Sequence, residues 1–433
     1  MRKGLTLALV AMLLLAVTFD IVAQKRVDLV WWSYPRFTTA GKDPGVYEQS
    51  LVDRYLKENP SINMKLEMLN YNGGPEKVNV AIATGATPDI LIDDPVRLIA
   101  DYAARGAVVD MEDVLDRSTV HAGFLPDVTL GGKVYAYPVS ALSYLIGVNK
   151  TAFEKANALG KLPLGKPGRT WTFDEYTAAL EAVKGQPGIY PTAMWAGNEQ
   201  GDIVTRLILQ NHGAKLFTPD LKRIALNDAA GYKGMEWMLS LKKKGLIAPG
   251  FESLTMTDVI DLLEQGRIAA GTYCTSDLYP VLLNMQKQGK APQFELVFFP
   301  YPTAPGVTSQ SSLAMTAVSV FKNADAARVN AAKQFAKWLA VTKDIVAASQ
   351  GSIPAVKGLP SMGEVNKQPE LLFGEQYGAA FGVYAGKTIK GWAKIRTFWF
   401  PNIQALLTEA KTPKQALDDF VTNANKVMQE NYP

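Results

Sequence analysis

ATGATPDILIDDPVRLIADYAARGAVVD, residues 83–110, is the stretch from which the fold can be read. Gly85 suits the position just past a helix, where the left-handed backbone costs glycine little. Pro88 and Asp89 turn the chain into a short apolar strand, Ile90 to Ile92, followed by two carboxylates, Asp93 and Asp94. Asp94 suits an N-cap and Pro95 a first helical residue, so a new helix is expected to start there. Its apolar residues Val96, Ile99, Ala100 and Ala103 fall at i, i+3, i+4 and i+7, and Gly106 ends it. This is one helix–strand–helix piece of an α/β sheet, with polar groups at the strand's carboxyl end, where such sheets bind ligands. Asp94 is expected to cap the helix, and Asp93 is the candidate for ligand contact.

The neighbouring segments continue the pattern. Val27 to Trp32 reads as a strand opening into an aromatic and polar loop. GVYEQSLVDRYLKENP is a helix with Leu51, Val52, Tyr55 and Leu56 on one face, and Asn59 with Pro60 ends it. Ile62, Met64, Leu66 and Met68 alternate with polar residues, as in a strand. Strand, helix, strand, helix, strand implies a parallel, doubly wound sheet. In GGKVYAYPVSALSYLIGVNK the pattern changes, and the first passage between lobes is expected near Tyr137 to Ser140. Further helices are marked by a capping box at Thr172 and Glu175, by Gly245 as a stop, and by Ala332, Phe335, Ala336 and Leu339 on one stripe. Strands are expected at Ile268 to Tyr273 and Ala314 to Phe321, with the passage back near Phe298 to Pro302. The last helix starts with Thr412, Pro413 and Gln415, and buries Leu417, Phe420, Val421, Ala424 and Met428.

At 433 residues the chain is too long for one ordinary core, and two domains are expected. Residues 1–24 are set aside: Arg2 and Lys3, an apolar run from Leu5 to Val17 and the small Ala23 form a secretory signal peptide. The expected lobes are 25–138 plus 300–344, and 139–299 plus 345–433. Cys274 is the only cysteine, so there is no internal disulfide, and none stands near the end of the signal to take a lipid. A freely diffusing periplasmic protein is the expectation. Without Arg2, Lys3 and Asp20 the chain has 43 basic and 40 acidic residues, 43 − 40 = +3. The basic residues are scattered, which argues against nucleic-acid binding.

The order of these pieces resembles the extracellular solute-binding proteins of bacterial ABC importers, in particular the sugar-binding family that includes maltose-binding protein. The resemblance rests on VDLVWWSY, ATGATPDILI, YAARGAVVDMEDVL, GGKVYAYPVSALSYLIGVNKTAFEKA, RTWTFDEYTAAL, LSLKKKGLI, LLEQGRIAAGTY, FELVFFPYPTAPG, KQFAKWLAVTKDI and TPKQALDDF, which cover nearly the whole mature chain in order. It implies two α/β lobes with a ligand cleft between them, closure on the ligand, and delivery to a membrane permease without chemistry or cofactor. A monomer is expected.

Sugars present apolar C–H faces edged by hydroxyls, so rings in loops beside fixed polar groups are the candidate contacts. The aromatic candidates are Trp32, Tyr34, Tyr71, Tyr144, Trp171, Trp195, Tyr273, Tyr301 and Trp392. Ser33, Asn72, Asn198, Glu199, Asp202 and Asp277 are polar candidates in the same loops. By family position Trp32, Asp93, Trp195 and Tyr273 stand out. Trp171 has the plainer role of stapling its helix start, and Trp237 and Trp338, on helical stripes, read as core. Arg36 and Arg396 have the forked geometry to bind a uronate or phosphate, or else form surface ion pairs. Acidic loops with few clustered cations favour a neutral mono- or oligosaccharide. The alternatives are glycerol phosphate or an acidic sugar on the same fold, and a secreted glycan-cleaving enzyme. Against the enzyme, HExxH, GxSxG and CxxC are absent, and His121 and His212 have no partner at metal spacing. GVYAGKT, residues 382–388, is discounted as a phosphate loop, because its first glycine is one residue too close. Asp93 and Asp94, adjacent on a strand end, point apart and are poorly placed to flank a glycosidic bond.

Overall fold

A computed structural model describes residues 26–37, 44–70, 73–198, 201–349, 352–383 and 389–431. The signal segment, Tyr71, Asn72, Glu199 and most of GVYAGKT therefore lie outside the described residues.

The chain begins with β1 (Val27–Ser33), α1 (Val46–Glu58), β2 (Ile62–Met68), α2 (Gly74–Thr84) and β3 (Ile90–Asp93). β1 lies between β2 and β3, parallel to both, so Ser33 and Asp93 come to neighbouring strand ends. α2 ends at Gly85 with φ 72°, the left-handed geometry expected of glycine there. α3 (Pro95–Arg97) is capped by the Asp94 carboxylate, which accepts from Val96 N.

Beyond α3 the expectation of a regular helix fails. Residues Leu98–Ala103 wind as a π-helix, and the buried face is Leu98, Ile99, Tyr102 and Ala103, leaving Val96 and Ala100 half-buried. The wider turn carries Tyr102 inward against Phe321, and Val96 packs against the other core of the molecule.

The sheet is also mixed rather than wholly parallel. β4 (Tyr137–Asn149), β5 (Ala270–Thr275), β6 (Leu296–Phe299), β7 (Ser311–Val320), β8 (Ile353–Pro354) and β9 (Gly382–Val383) complete it, with α4 (Phe173–Ala182) lying between β4 and β5 in the chain. β7 runs antiparallel to β3, and β4 antiparallel to β7. β4 is one 13-residue strand that changes partners along its length. Up to Ser143 it pairs with β7, and from Tyr144 it pairs with β5 and β6.

Two hydrophobic cores result. One draws on residues 29–141 and 313–356, the other on 144–301 and 377–428. The cores change over at Ser143–Tyr144, a few residues after Tyr137–Ser140, because β4 continues unbroken through the expected passage. Ile345, Val346, Ile353, Ala355 and Val356 pack into the first core, although residues from 345 onward were expected in the second lobe. The short antiparallel pairing of β8 with Ser140 and Ala141 holds them there. Among the described residues no helix is long and apolar enough to cross a membrane.

Candidate functional site

The parallel pairing of β1 and β3 creates the first wall. Asp93 is fully buried at the end of β3 and is surrounded by donors. Arg36 Nη2 lies 2.9 Å from its Oδ1, Arg97 Nε donates to its Oδ2 at 2.6 Å, and the Arg97 Nη2 also reaches Oδ1. The backbone N–H of Asp94 adds a fourth contact at 2.7 Å. Asp93 thus organises two arginines, which stand beside it as further groups at the candidate ligand contact. A carboxylate at 0% exposure has to be paired in this way, because an isolated buried charge costs several kcal/mol. Burial works against the Arg97 charge, but Asp93, Asp94 and Tyr34 outweigh it and hold its pKa above the usual range. Arg97 lies 5.3 Å above the Tyr34 ring, and Lys77 4.6 Å above Trp32. Tyr34 passes so close to the start of α2 that a Cβ on Gly74 would sit 2.8 Å from its hydroxyl. Ser33 is buried, with its hydroxyl donating to Tyr34 O.

The second wall is aromatic. Tyr144 on β4 and Tyr273 on β5 meet edge to face at 5.5 Å, and Trp195 meets Tyr273 edge to face at 5.1 Å. Gly201 allows α5 (Asp202–Asn211) to begin against the Trp195 backbone, where a Cβ would come within 2.6 Å of the Trp195 carbonyl. Asp202, the first residue of α5, accepts from Arg396 Nε at 3.0 Å and Nη2 at 2.8 Å, with Arg206 Nη2 at 3.5 Å. Burial lowers the Arg206 pKa, with Asp202 opposing that shift. Each wall therefore holds an aspartate at a helix start with an arginine four residues on, Asp93–Arg97 and Asp202–Arg206, and a second arginine from elsewhere in the chain.

The walls meet at Tyr144. Burial raises its pKa; the charges acting on its hydroxyl are Asp94 from the first wall and Arg396, Asp202 and Asp277 from the second. Burial also raises Asp277, from 3.8 to about 6. Four buried polar atoms here have no partner among the described residues: the indole N–H groups of Trp32 and Trp195, Arg206 Nε and Asp277 Oδ1. Buried polar atoms normally find partners, so these four are the open valences of the site.

Of the sequence candidates, Trp32, Tyr34, Arg36 and Asp93 gather on the first wall and Tyr144, Trp195, Tyr273 and Asp277 on the second. Asn198 follows Trp195 in the same loop. Trp392 lies behind the second wall, packed on Phe217 under the Arg206 guanidinium. Tyr301 is turned away; its hydroxyl donates to Thr272 O at 2.6 Å and its ring lines a different cavity. Trp171 lines that same cavity, donates to Pro300 O and stacks on Phe299. Trp237 and Trp338 pack against the cores as expected. Sequence reasoning missed Arg97 and Arg206, although the repeated spacing of aspartate and arginine at i and i+4 marks both. No group of three metal-ligating side chains occurs among the described residues.

Residues 50–373 match a family model described as bacterial extracellular solute-binding protein. A binding protein of Brucella abortus is 23% identical over 265 residues, 60% of this chain and 61% of that one. An ABC transporter extracellular-binding protein of Pyrococcus horikoshii is 28% identical over 187 residues, 41% of each chain. The matches thus span 61% and 41% of the length of these two relatives. An ABC transporter solute-binding protein of Thermotoga lettingae, bound with α-D-tagatose, has a similar fold. Its TM-score is 0.76 at 18% identity, over 93% of this chain and 99% of that one. An ABC substrate-binding protein of Listeria monocytogenes in complex with cycloalternan gives 0.75 at 18% identity, over 93% and 99%. The two-lobed periplasmic-binding-protein fold expected from the sequence is the fold of this chain.

Proposed function

This chain belongs to the bacterial extracellular solute-binding proteins, and from that premise we propose that it binds a neutral carbohydrate between its lobes and delivers it to the permease of an ABC importer. The observation that carries the reading is the set of open valences beside the Tyr144–Tyr273–Trp195 rings. Trp32 Nε1, Trp195 Nε1 and Arg206 Nε donate, and Asp277 Oδ1 accepts. A sugar hydroxyl can serve either kind, and the rings match its C–H faces.

The charge of the site supports neutrality. Arg36, Arg97, Arg206 and Arg396 face Asp93, Asp94, Asp202 and Asp277, four against four. The balance rests on these eight groups, with Asp93 shared between Arg36 and Arg97. We take the lobes to follow the two cores, so that residues 345–356 move with the first lobe. Secretion through the leader at residues 1–24, a periplasmic monomer and binding without catalysis or cofactor complete the proposal.

A thermal-shift screen against a panel of oligosaccharides tests it. A ligand at a hundredfold excess over its Kd adds about 2.7 kcal/mol to stability. Shifts with a neutral sugar and no product formed are expected. Turnover of any sugar, or shifts confined to phosphorylated or uronate ligands, would overturn the reading.

A further inference from the structure

Away from the walls described above, the second lobe has a cavity of about 820 Å³, within the usual size of small-molecule sites. Trp171, Tyr301, Phe373 and Tyr377 line it, and among the described residues no charged side chain does. The hydroxyls of Trp171's and Tyr301's neighbourhood are already spent inside the protein: Tyr301 donates to Thr272 O, and Tyr377 pairs with Ser309 at 2.6 Å. The side chains of Thr303, Thr308 and Gln376 also line the cavity, and they carry no hydrogen bond among the described residues. Phe381, at the end of α6 (Pro369–Phe381), is 40% exposed at the rim.

We propose that this cavity is a second binding site, for a neutral molecule with a flat apolar face and hydroxyl or ether oxygens on its edge. Aromatic faces take the flat side, and uncommitted hydroxyl and amide groups take the edge. A lining without charged side chains among the described residues favours a neutral ligand, since desolvating an unpaired ion is costly. The site is separate from the cleft. Asn211, at the far end of α5 from Asp202, holds the Pro300–Gln310 wall through its bonds to Gln310 N and O. Tyr301 reaches from the cavity to Thr272, beside Tyr273, yet none of the residues that line the cavity belongs to either wall. The inference does not rest on the carbohydrate reading of the cleft.

The probe is 4-nitrophenyl β-D-glucopyranoside, which is neutral and joins a flat ring to hydroxyls. Saturation-transfer NMR on the full chain should show transfer to its aromatic protons. Ala380→Trp, made at an exposed position on α6, fills the mouth of the cavity. It should weaken probe binding roughly fivefold or more, about the worth of one lost ring contact, while the melting temperature stays put. Gln376→Leu, also exposed, should weaken binding without filling the cavity. No transfer with the native protein overturns the proposal, and so does undiminished transfer with both variants. Sugar-induced thermal shifts that persist in Ala380→Trp arise in the cleft and not in this cavity.

Discussion

Trp195 is buried against Tyr273, yet its indole N–H has no partner among the described residues. Trp195→Phe keeps a ring there and removes the donor together with part of the indole's volume. We expect calorimetry to show affinity for the bound sugar falling about three- to tenfold, the worth of one hydrogen bond. The melting temperature should fall modestly, because the cavity left by the smaller ring outweighs the relief of an unsatisfied donor. Equal affinity would mean that this N–H does not reach ligand. Asp277 supplies a second test. Its folded pKa, about 6, lies above the ordinary 3.8 because of burial. Its stability contribution is therefore full below about pH 4 and is lost as the pH rises through about 6. Asp277→Asn removes that titration, so the variant should gain stability relative to the native protein between about pH 4 and 7. The gain is on the order of 1 kcal/mol, because Asp277 remains partly open to solvent. A difference that does not change with pH would sink the assignment. Residue type nominated Trp32, Tyr144 and Tyr273, but loop position did not, since all three stand on strands. Tyr301 and Trp392 share that signature but turn elsewhere, since only tertiary packing decides which side of a sheet a loop ring joins.

Asp94 caps α3 through Val96 N and also acts on Tyr144 across the cleft. Substitution separates the two roles. Asp94→Ala should lower stability by about 1 kcal/mol in denaturant unfolding, the usual worth of an N-cap. Asp94→Ser should restore the cap and most of that stability, but not the affinity for sugar, because the charge beside Tyr144 is missing. Full recovery of both in Asp94→Ser would reduce Asp94 to a cap. Caps were the most legible elements in the sequence: the Thr172–Glu175 and Thr412–Gln415 pairs and Gly85 all form as expected. Each is settled within a few residues, where side chain and backbone are already neighbours. The π-helix at Leu98–Ala103 and the antiparallel β7 were not legible, because both are settled by contacts far along the chain. β4 shows the same limit, since thirteen mostly apolar residues do not reveal which partner strand each half will choose.

At the scale of the molecule, the two cores are joined by few passages of chain. β4 crosses at Ser143–Tyr144, the Pro300–Ser312 stretch returns, and a third passage follows Val356. Lobes joined by so few backbone segments are built to hinge rather than slide. The open valences are divided between the walls, Trp32 on one side and Trp195, Arg206 and Asp277 on the other. A ligand meeting both sets is held fully only when the walls are together, which gives it the differential affinity needed to shift the equilibrium toward closure. A ligand meeting one wall alone would bind without moving the lobes. Small-angle scattering distinguishes these cases. With a sugar confirmed by thermal shift, the radius of gyration should fall on binding. In Trp32→Phe, which loses the first wall's indole donor, the fall should need more sugar to reach the same extent. Superimposable curves with and without saturating sugar would remove closure from the mechanism while leaving binding itself intact.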